Sequence, residues 1–186
     1  MSEPYSLRAL GLSAGQSKSA VVQIDLDPYV QTAIEYVPDP GVEGTIDITA
    51  MLEGISLGLK FRAEYHGPCA RCLDPAVYRA LVTSYELHDS NTRDEEMRSD
   101  FVDDLTQSVD VDGWAKEAIG LEFPTRVLCR KDCLGLCPVC GENQNEAGLH
   151  EHEQPLDSRW GALAALDLDA AGEPDSGAEP AADPAT

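Results

Sequence analysis

Positive charge is what this sequence has least of: 13 Lys and Arg face 34 Asp and Glu, a formal net charge of −21. That excess works against sequence-independent binding to a phosphate backbone, which needs Lys and Arg to displace condensed counterions. The stretch from Asp167 onward carries Asp167, Asp169, Glu173, Asp175, Glu179 and Asp183 and no Lys or Arg, yet acids dominate the rest of the chain too. Solubility and self-repulsion follow from such a balance. The functional counterpart is a protein partner with a basic face; bare RNA is disfavoured as the main partner, and direct RNA contact through a local basic patch stays open.

Long apolar runs are missing as well. No stretch approaches the ~18 residues of a membrane span. Met1-Ser2-Glu3-Pro4-Tyr5-Ser6 has neither the basic nor the apolar region of a secretory signal. The expectation is a cytoplasmic protein with no membrane association. There is no internal repeat. Gly54-x3-Gly58 lacks the second half and the Lys-Ser/Thr of a phosphate-binding loop. No His, Ser or carboxylate grouping reads as nucleophile and base. Neither an enzyme nor a small-molecule substrate is expected.

What the chain does have is six cysteines in two groups: Cys69-Ala70-Arg71-Cys72, and Cys129-x3-Cys133-x3-Cys137-Pro138-Val139-Cys140-Gly141, followed by His150 and His152. In a reducing compartment, clustered cysteines are more often metal ligands than disulfides. Thiolates two residues apart before a Gly suit a tight turn with N–H groups aimed at sulfur, and two such pairs make a tetrahedral zinc shell. One partition puts Cys69, Cys72, Cys129 and Cys133 on one zinc, with Cys137, Cys140 and one or both of His150 and His152 on a second. A rival partition has a single zinc on Cys69, Cys72, Cys137 and Cys140. The first is preferred, and in both the shell is closed by protein, as in structural rather than catalytic sites. A thioredoxin-like role for Cys69-x-x-Cys72 is disfavoured, because the motif follows a strand and Gly67-Pro68 with no βαβ unit around it. His66 and His88 have no partner at ligand spacing and are expected at the surface or at strand ends.

The pattern around the cysteines is mostly strand. Ser6–Leu10 reads as a first strand and Ala20–Leu26 as a second. Thr45–Leu52, Ile55–Tyr65 and Val77–Leu87 alternate with period two or are dense in β-branched and aromatic residues. Cys69 and Cys72 then sit at a hairpin tip of an antiparallel meander. His88–Asp104 reads as a solvated loop. A short helix over Trp114–Phe123 is predicted, capped by Asp112 and stopped by Pro124, with Trp114, Ala118 and Leu121 on its apolar face beside Ile119. Asp157–Leu166 predicts a second amphipathic helix with Trp160, Leu163 and Leu166 on one face. The fold class is therefore α+β: an antiparallel sheet or open barrel packed with a short helix, then a zinc-stapled cysteine knuckle (129–152) and a short helix. One domain spans 1–168, with a disordered acidic tail at 169–186.

Three segments in this order carry a family resemblance. Gly67-Pro68-Cys69-Ala70-Arg71-Cys72-Leu73-Asp74-Pro75 comes first, Gly135-Leu136-Cys137-Pro138-Val139-Cys140-Gly141 second, and Asp157-Ser158-Arg159-Trp160-Gly161-Ala162-Leu163 last. The chain resembles the YceD family of large-ribosomal-RNA-subunit accumulation proteins over about residues 5 to 166. The resemblance implies a cytoplasmic, non-enzymatic factor supporting synthesis, processing or stability of the large-subunit (23S) rRNA, with ribosome-assembly or rRNA-processing proteins as partners. It also implies metal-ligating roles for Cys69, Cys72, Cys133, Cys137 and Cys140. Members often carry Cys-x-His after the knuckle, where this chain has His150-Glu151-His152, a change that keeps a ligand type. The alternative reading is a zinc-stapled protein-interaction module in another process.

Overall fold

Alternation along three long segments dictates the architecture. Ile46, Ile48, Leu57, Leu59, Phe61, Ala63, Tyr65, Ala76, Ala80 and Val82 are all buried, because successive side chains of a strand point to opposite faces and only one face meets the core. The computed structural model describes residues 4–92 and 94–152. Its strands are β1 (Tyr5–Ser6), β2 (Ser17–Ile24), β3 (Tyr29–Gln31), β4 (Ile34–Pro38), β5 (Val42–Ala50), β6 (Ile55–Pro68), β7 (Pro75–His88), β8 (Val102–Asp103) and β9 (Ser108–Val109); its helices are α1 (Val111–Glu122) and α2 (Gln144–Ala147). The larger sheet has the order β2-β5-β6-β4-β3, with β7 on the other side of β6, and every pairing is antiparallel. β1, β9 and β8 form a small second antiparallel sheet. The α+β class with antiparallel sheets and few helices is thus as expected.

The β6–β7 hairpin is the spine. Its register runs without a bulge from Ile55↔His88 to Pro68↔Pro75, and its tip delivers Cys69 and Cys72. At the opposite end Gly54 turns the chain into β6 with φ +84°, where an added Cβ would lie 2.1 Å from the His88 carbonyl oxygen. Gly54→Ala therefore combines a left-handed backbone with a backbone clash. It is expected to destabilise by about 1–3 kcal/mol, read as a lower urea midpoint with an unchanged slope.

Helix α1 closes the core face of the sheet. Trp114, Ala115, Ala118 and Ile119 are buried; Trp114 Nε1 donates to Ser84 Oγ at 2.9 Å and the Tyr78 hydroxyl donates to the Glu122 carbonyl at 2.9 Å. The helix thus runs alongside β7 in the opposite direction. It ends at Phe123, which is extended (φ −65°, ψ 126°), as the residue before a proline must be. The Phe123 ring lies 4.2–5.4 Å from those of Tyr29, Tyr36, Tyr65 and Tyr78, so the aromatic core is gathered at the hairpin end nearest the cysteines.

Several expectations need correction. The first strand is only Tyr5–Ser6, and Arg8–Leu10 is a 3₁₀ turn ending at Gly11 with φ 56°. The cap of α1 is Asp110, whose side chain accepts from the Gly113 N–H. Asp112 is instead buried in the first turn and accepts from the Asp25 N–H at 2.9 Å. Leu121 lies on the same side of the helix as Trp114 but is 84% exposed, so it adds nothing to the buried face. His88 ends β7 as a strand-end residue, but it is buried: Asp104 takes its Nε2 at 2.9 Å and Arg98 at 2.7 Å, and these two partners, His88 foremost, hold the Asp104 carboxyl below its usual range. That contact pins the 88–104 segment, expected as plain loop, which contains a 3₁₀ turn (Glu95–Met97) and β8. The chain divides into two units between Leu149 and His150. The predicted helix at 157–166 and the acidic tail lie outside the described residues.

Candidate metal centre

A six-residue loop, 69–74, joins β6 to β7, and its shape is set by backbone bonds. The Cys69 N–H donates to the Asp74 carbonyl at 2.7 Å and the Leu73 N–H to the Cys69 carbonyl at 3.1 Å. Leu73 accepts a left-handed φ of 65° to make that turn. The Ala70 N–H reaches across to the Val127 carbonyl at 2.8 Å, which brings the segment leaving α1 over the hairpin tip. Arg71 extends the join: its guanidinium donates to the Cys133 carbonyl at 2.8 Å, and its own carbonyl accepts from the Leu136 N–H at 3.2 Å. Gly135 packs directly on Arg71, where a Cβ would sit 3.3 Å from both Arg71 Cβ and its carbonyl oxygen.

These contacts bring together Cys69, Cys72, Cys129 and Cys133, whose sulfurs all lie within 4.8 Å of one another. Cys69 Sγ is 3.7 Å from Cys133 Sγ, and Cys72 Sγ is 3.5 Å from Cys129 Sγ. A disulfide needs about 2.0 Å, so these are separate thiols. A tetrahedral zinc with Zn–S near 2.3 Å sets sulfurs roughly 3.8 Å apart, and the observed spacings fit that cage. Cys69, Cys72 and Cys133 are buried and Cys129 is half-buried. Four donors of this softness saturate a tetrahedral ion and leave no position for water.

The electrostatics favour a cation. Burial works to raise the Cys69 thiol, but backbone N–H groups of Cys72, Arg71 and Cys129 outweigh it and bring it down to about 6. Burial pushes the Cys72 thiol up, the Asp74 carboxylate and the neighbouring thiols adding to it, and burial likewise raises Cys129. One thiolate forms easily and the next ones are resisted, the condition a divalent ion relieves.

The knuckle lies against this cage. The Gly141 N–H donates to the Cys137 carbonyl and the Cys137 N–H to the Glu142 carbonyl, each at 2.8 Å. Gly141 takes φ 76° to close the turn. Asn143 caps α2, accepting from the Asn145 N–H, and donates from Nδ2 to Asp74 Oδ2 at 2.9 Å. That same carboxylate oxygen accepts from the Cys72 thiol at 3.2 Å. Asn145 donates to Cys133 Sγ at 3.4 Å and accepts from the Leu134 N–H at 2.8 Å. Arg71, Asp74, Asn143 and Asn145 are thus supporting residues that reading by ligand type missed. The available signal was Asn-x-Asn after a Cys-x-x-Cys-Gly turn, residues that bond their own backbone.

Cys137 is buried and Cys140 exposed, both within the first unit. His150 and His152 belong to the second unit, where their rings meet edge-on at 4.7 Å. Among the described residues His152 Nε2 is buried with no hydrogen-bond partner, a need that ligation would satisfy. A further group, Asp39, Glu64 and His66, is exposed or half-exposed. Ion pairs engage it: His66 with Asp39 and Arg79 with Glu64, each at 2.9 Å.

Among the described residues no helix is long and apolar enough to cross a membrane. In comparison with known proteins, residues 57–167 match the model of a family described as large ribosomal RNA subunit accumulation protein YceD. Relatives from Mycobacterium bovis and Mycobacterium tuberculosis, each called an uncharacterized protein, are 34% identical over 128 residues, which covers 65% of this chain and 61% of theirs. A Mycobacterium leprae relative, also called uncharacterized, is 32% identical over 104 residues, 51% of this chain and 45% of its own. The chain therefore spans less than two thirds of the length of these relatives. No solved structure matches it.

Proposed function

The chain belongs to the YceD family, and on that premise we propose that it is a non-enzymatic, cytoplasmic accessory factor supporting synthesis, processing or stability of the large-subunit (23S) rRNA. The family description carries the reading. Two features of the molecule support it. The four thiols of the cage would fill all four positions of a tetrahedral ion, which suits a staple rather than a reaction centre. The charge of −21 suits contact with basic ribosome-assembly or rRNA-processing proteins better than contact with naked rRNA.

Zinc is the proposed ion. Cys69, Cys72, Cys129 and Cys133 would hold one, tying the hairpin tip to the chain that leaves α1. From their spacing, Cys137 and Cys140 with one or both of His150 and His152 would hold a second. Elemental analysis of untagged protein is expected to return about two zinc ions per chain; a value of one would favour a single site, and none, with six titratable thiols, would refute both.

Depletion of the protein in its host is expected to lower 23S rRNA relative to 16S rRNA, measured by total-RNA electrophoresis, with recovery on re-expression. An unchanged ratio would sink the ribosomal reading and leave an interaction module of another process.

A further inference from the structure

Strand β7 is an edge that lacks the usual protection. It pairs with β6 along all 14 residues, and among the described residues no strand pairs with its other side. Natural edges are blunted by lysines, interior prolines, bulges, short length, inward-pointing charges or a covering helix; here Glu86 and α1 guard only the core side of the strand. β7 is long and bulge-free, has no Lys, and its only proline is its first residue. On its outer face Leu81 is 66%, Tyr85 68% and Leu87 45% exposed. Tyr85 lies over Gly58 of β6, its ring 3.3 Å from where a Cβ would be.

The flank of α1 decides what could lie there. Trp114, bonded to Ser84, marks the flank of the helix that faces β7, and at 100° per residue Glu117 and Leu121 follow it on that flank. Both are exposed. The opposite flank carries Asp112 and Lys116, and Lys116 is bound to Asp27 at 2.8 Å, so the one cation of the helix faces away. Glu86 adds a further carboxylate on β7 itself, and the charge of Arg79 is met by Glu64. A strand laid along this edge would therefore meet apolar side chains on one face and Glu117, Leu121 and Glu86 on the other.

We propose that the open edge of β7 is a docking site for an extended, basic segment of a partner protein, which adds to the sheet as its next strand. Main-chain hydrogen bonds supply the affinity and alternate side chains the selectivity. The segment that fits alternates apolar residues, packed on Leu81, Tyr85 and Leu87, with Lys or Arg facing Glu117 of α1 and Glu86 of β7. A second copy fits worse, because each chain brings a net charge of −21 and no lysine on β7 to offset it. This mode of docking rests on the reading of the chain as a protein-contacting factor, and it fails separately from the rRNA role.

The test uses the full chain and a labelled, end-blocked 12-residue peptide of alternating Val and Lys, with a Val/Glu peptide as its counterpart. The lysine peptide is expected to bind at low salt and to slow amide exchange along 77–87, and the glutamate peptide is expected not to bind. The double variant Leu81→Lys, Tyr85→Lys is exposed at both positions and gives up only the Tyr85 ring's contact over Gly58, so its melting temperature should fall by at most a few degrees while affinity falls at least about tenfold. Binding untouched by the double variant, absence of binding, or tighter binding of a uridine oligonucleotide to the same strand each overturns the proposal. So does a dimer that these two lysines dissociate. A failed peptide with a lowered 23S to 16S ratio on depletion rejects the docking mode alone; the peptide binding with no rRNA effect rejects the ribosomal role alone.

Discussion

Cys133→Ser is expected to remove about one zinc ion per chain and to lower the melting temperature by roughly 6–20 °C. Cys133 is one of the four cage thiols: it is buried, 3.7 Å from Cys69 Sγ, and Asn145 donates to its sulfur. Serine nearly keeps the shape but loses the soft thiolate that zinc prefers. Free energy of structural zinc binding is folding free energy, about 10–16 kcal/mol apparent in small zinc-folded peptides. In this chain part of that falls on sheet packing that survives without metal, so a loss of about 3–5 kcal/mol is the expectation. At roughly 2–4 °C per kcal/mol for a chain of this size, the shift is large. Cys140→Ser tests the knuckle: it should leave the zinc on the four-thiol cage in place. Unchanged zinc content in Cys133→Ser would reject the cage as a metal site, and thermal melts with a chelator on the unmutated chain give an independent check.

Trp114→Ala is expected to cost about 3–5 kcal/mol, as for other buried aromatic truncations. The side chain is 1% exposed, stacks near-parallel on Phe101 at 6.2 Å, and bonds Ser84 Oγ. Alanine leaves a cavity between α1 and the sheet and takes away the partner of a part-buried hydroxyl. Native stability is commonly about 5–15 kcal/mol, so this single change removes a large share of it. Trp114→Phe keeps most of the ring and loses the hydrogen bond, for an expected cost of about 1–2 kcal/mol. Urea unfolding of the two variants separates packing from hydrogen bonding. A cost below about 1 kcal/mol for the alanine variant would mean that α1 does not close the core.

The parts legible in the sequence were those governed by neighbours a few residues apart. β5, β6 and β7 show as alternation, and the hairpin tip shows as Gly67-Pro68 and Asp74-Pro75 around two cysteines. Pro124 marks the end of α1. Short or irregular pieces escaped: β3 and β4 are 3 and 5 residues long, and β8 and β9 are 2 each. None is long enough to display a period. The cap was misplaced by two residues because Asp110 and Asp112 are equally good cap residues in sequence. The bond from the Asp25 N–H, 87 positions away, holds Asp112 in the core. Leu121 went wrong for a related reason: an apolar residue near a helix end counts toward the periodicity whether or not anything lies opposite it.

The cysteine clusters show the same division. Sequence by itself determined that six thiols and two nearby histidines sit at ligand spacing, and that the first pair lies at a hairpin tip, since both follow from local patterns. Which cysteines share a cage was decided only by the tertiary structure. Cys69 meets Cys133 and Cys72 meets Cys129, partners 64 and 57 residues apart. Those separations are closed by packing α1 on β7 and by the Ala70–Val127 and Arg71–Cys133 hydrogen bonds. Spacing encodes which groups can ligate; the folded path of the chain determines which of them reach the same point in space.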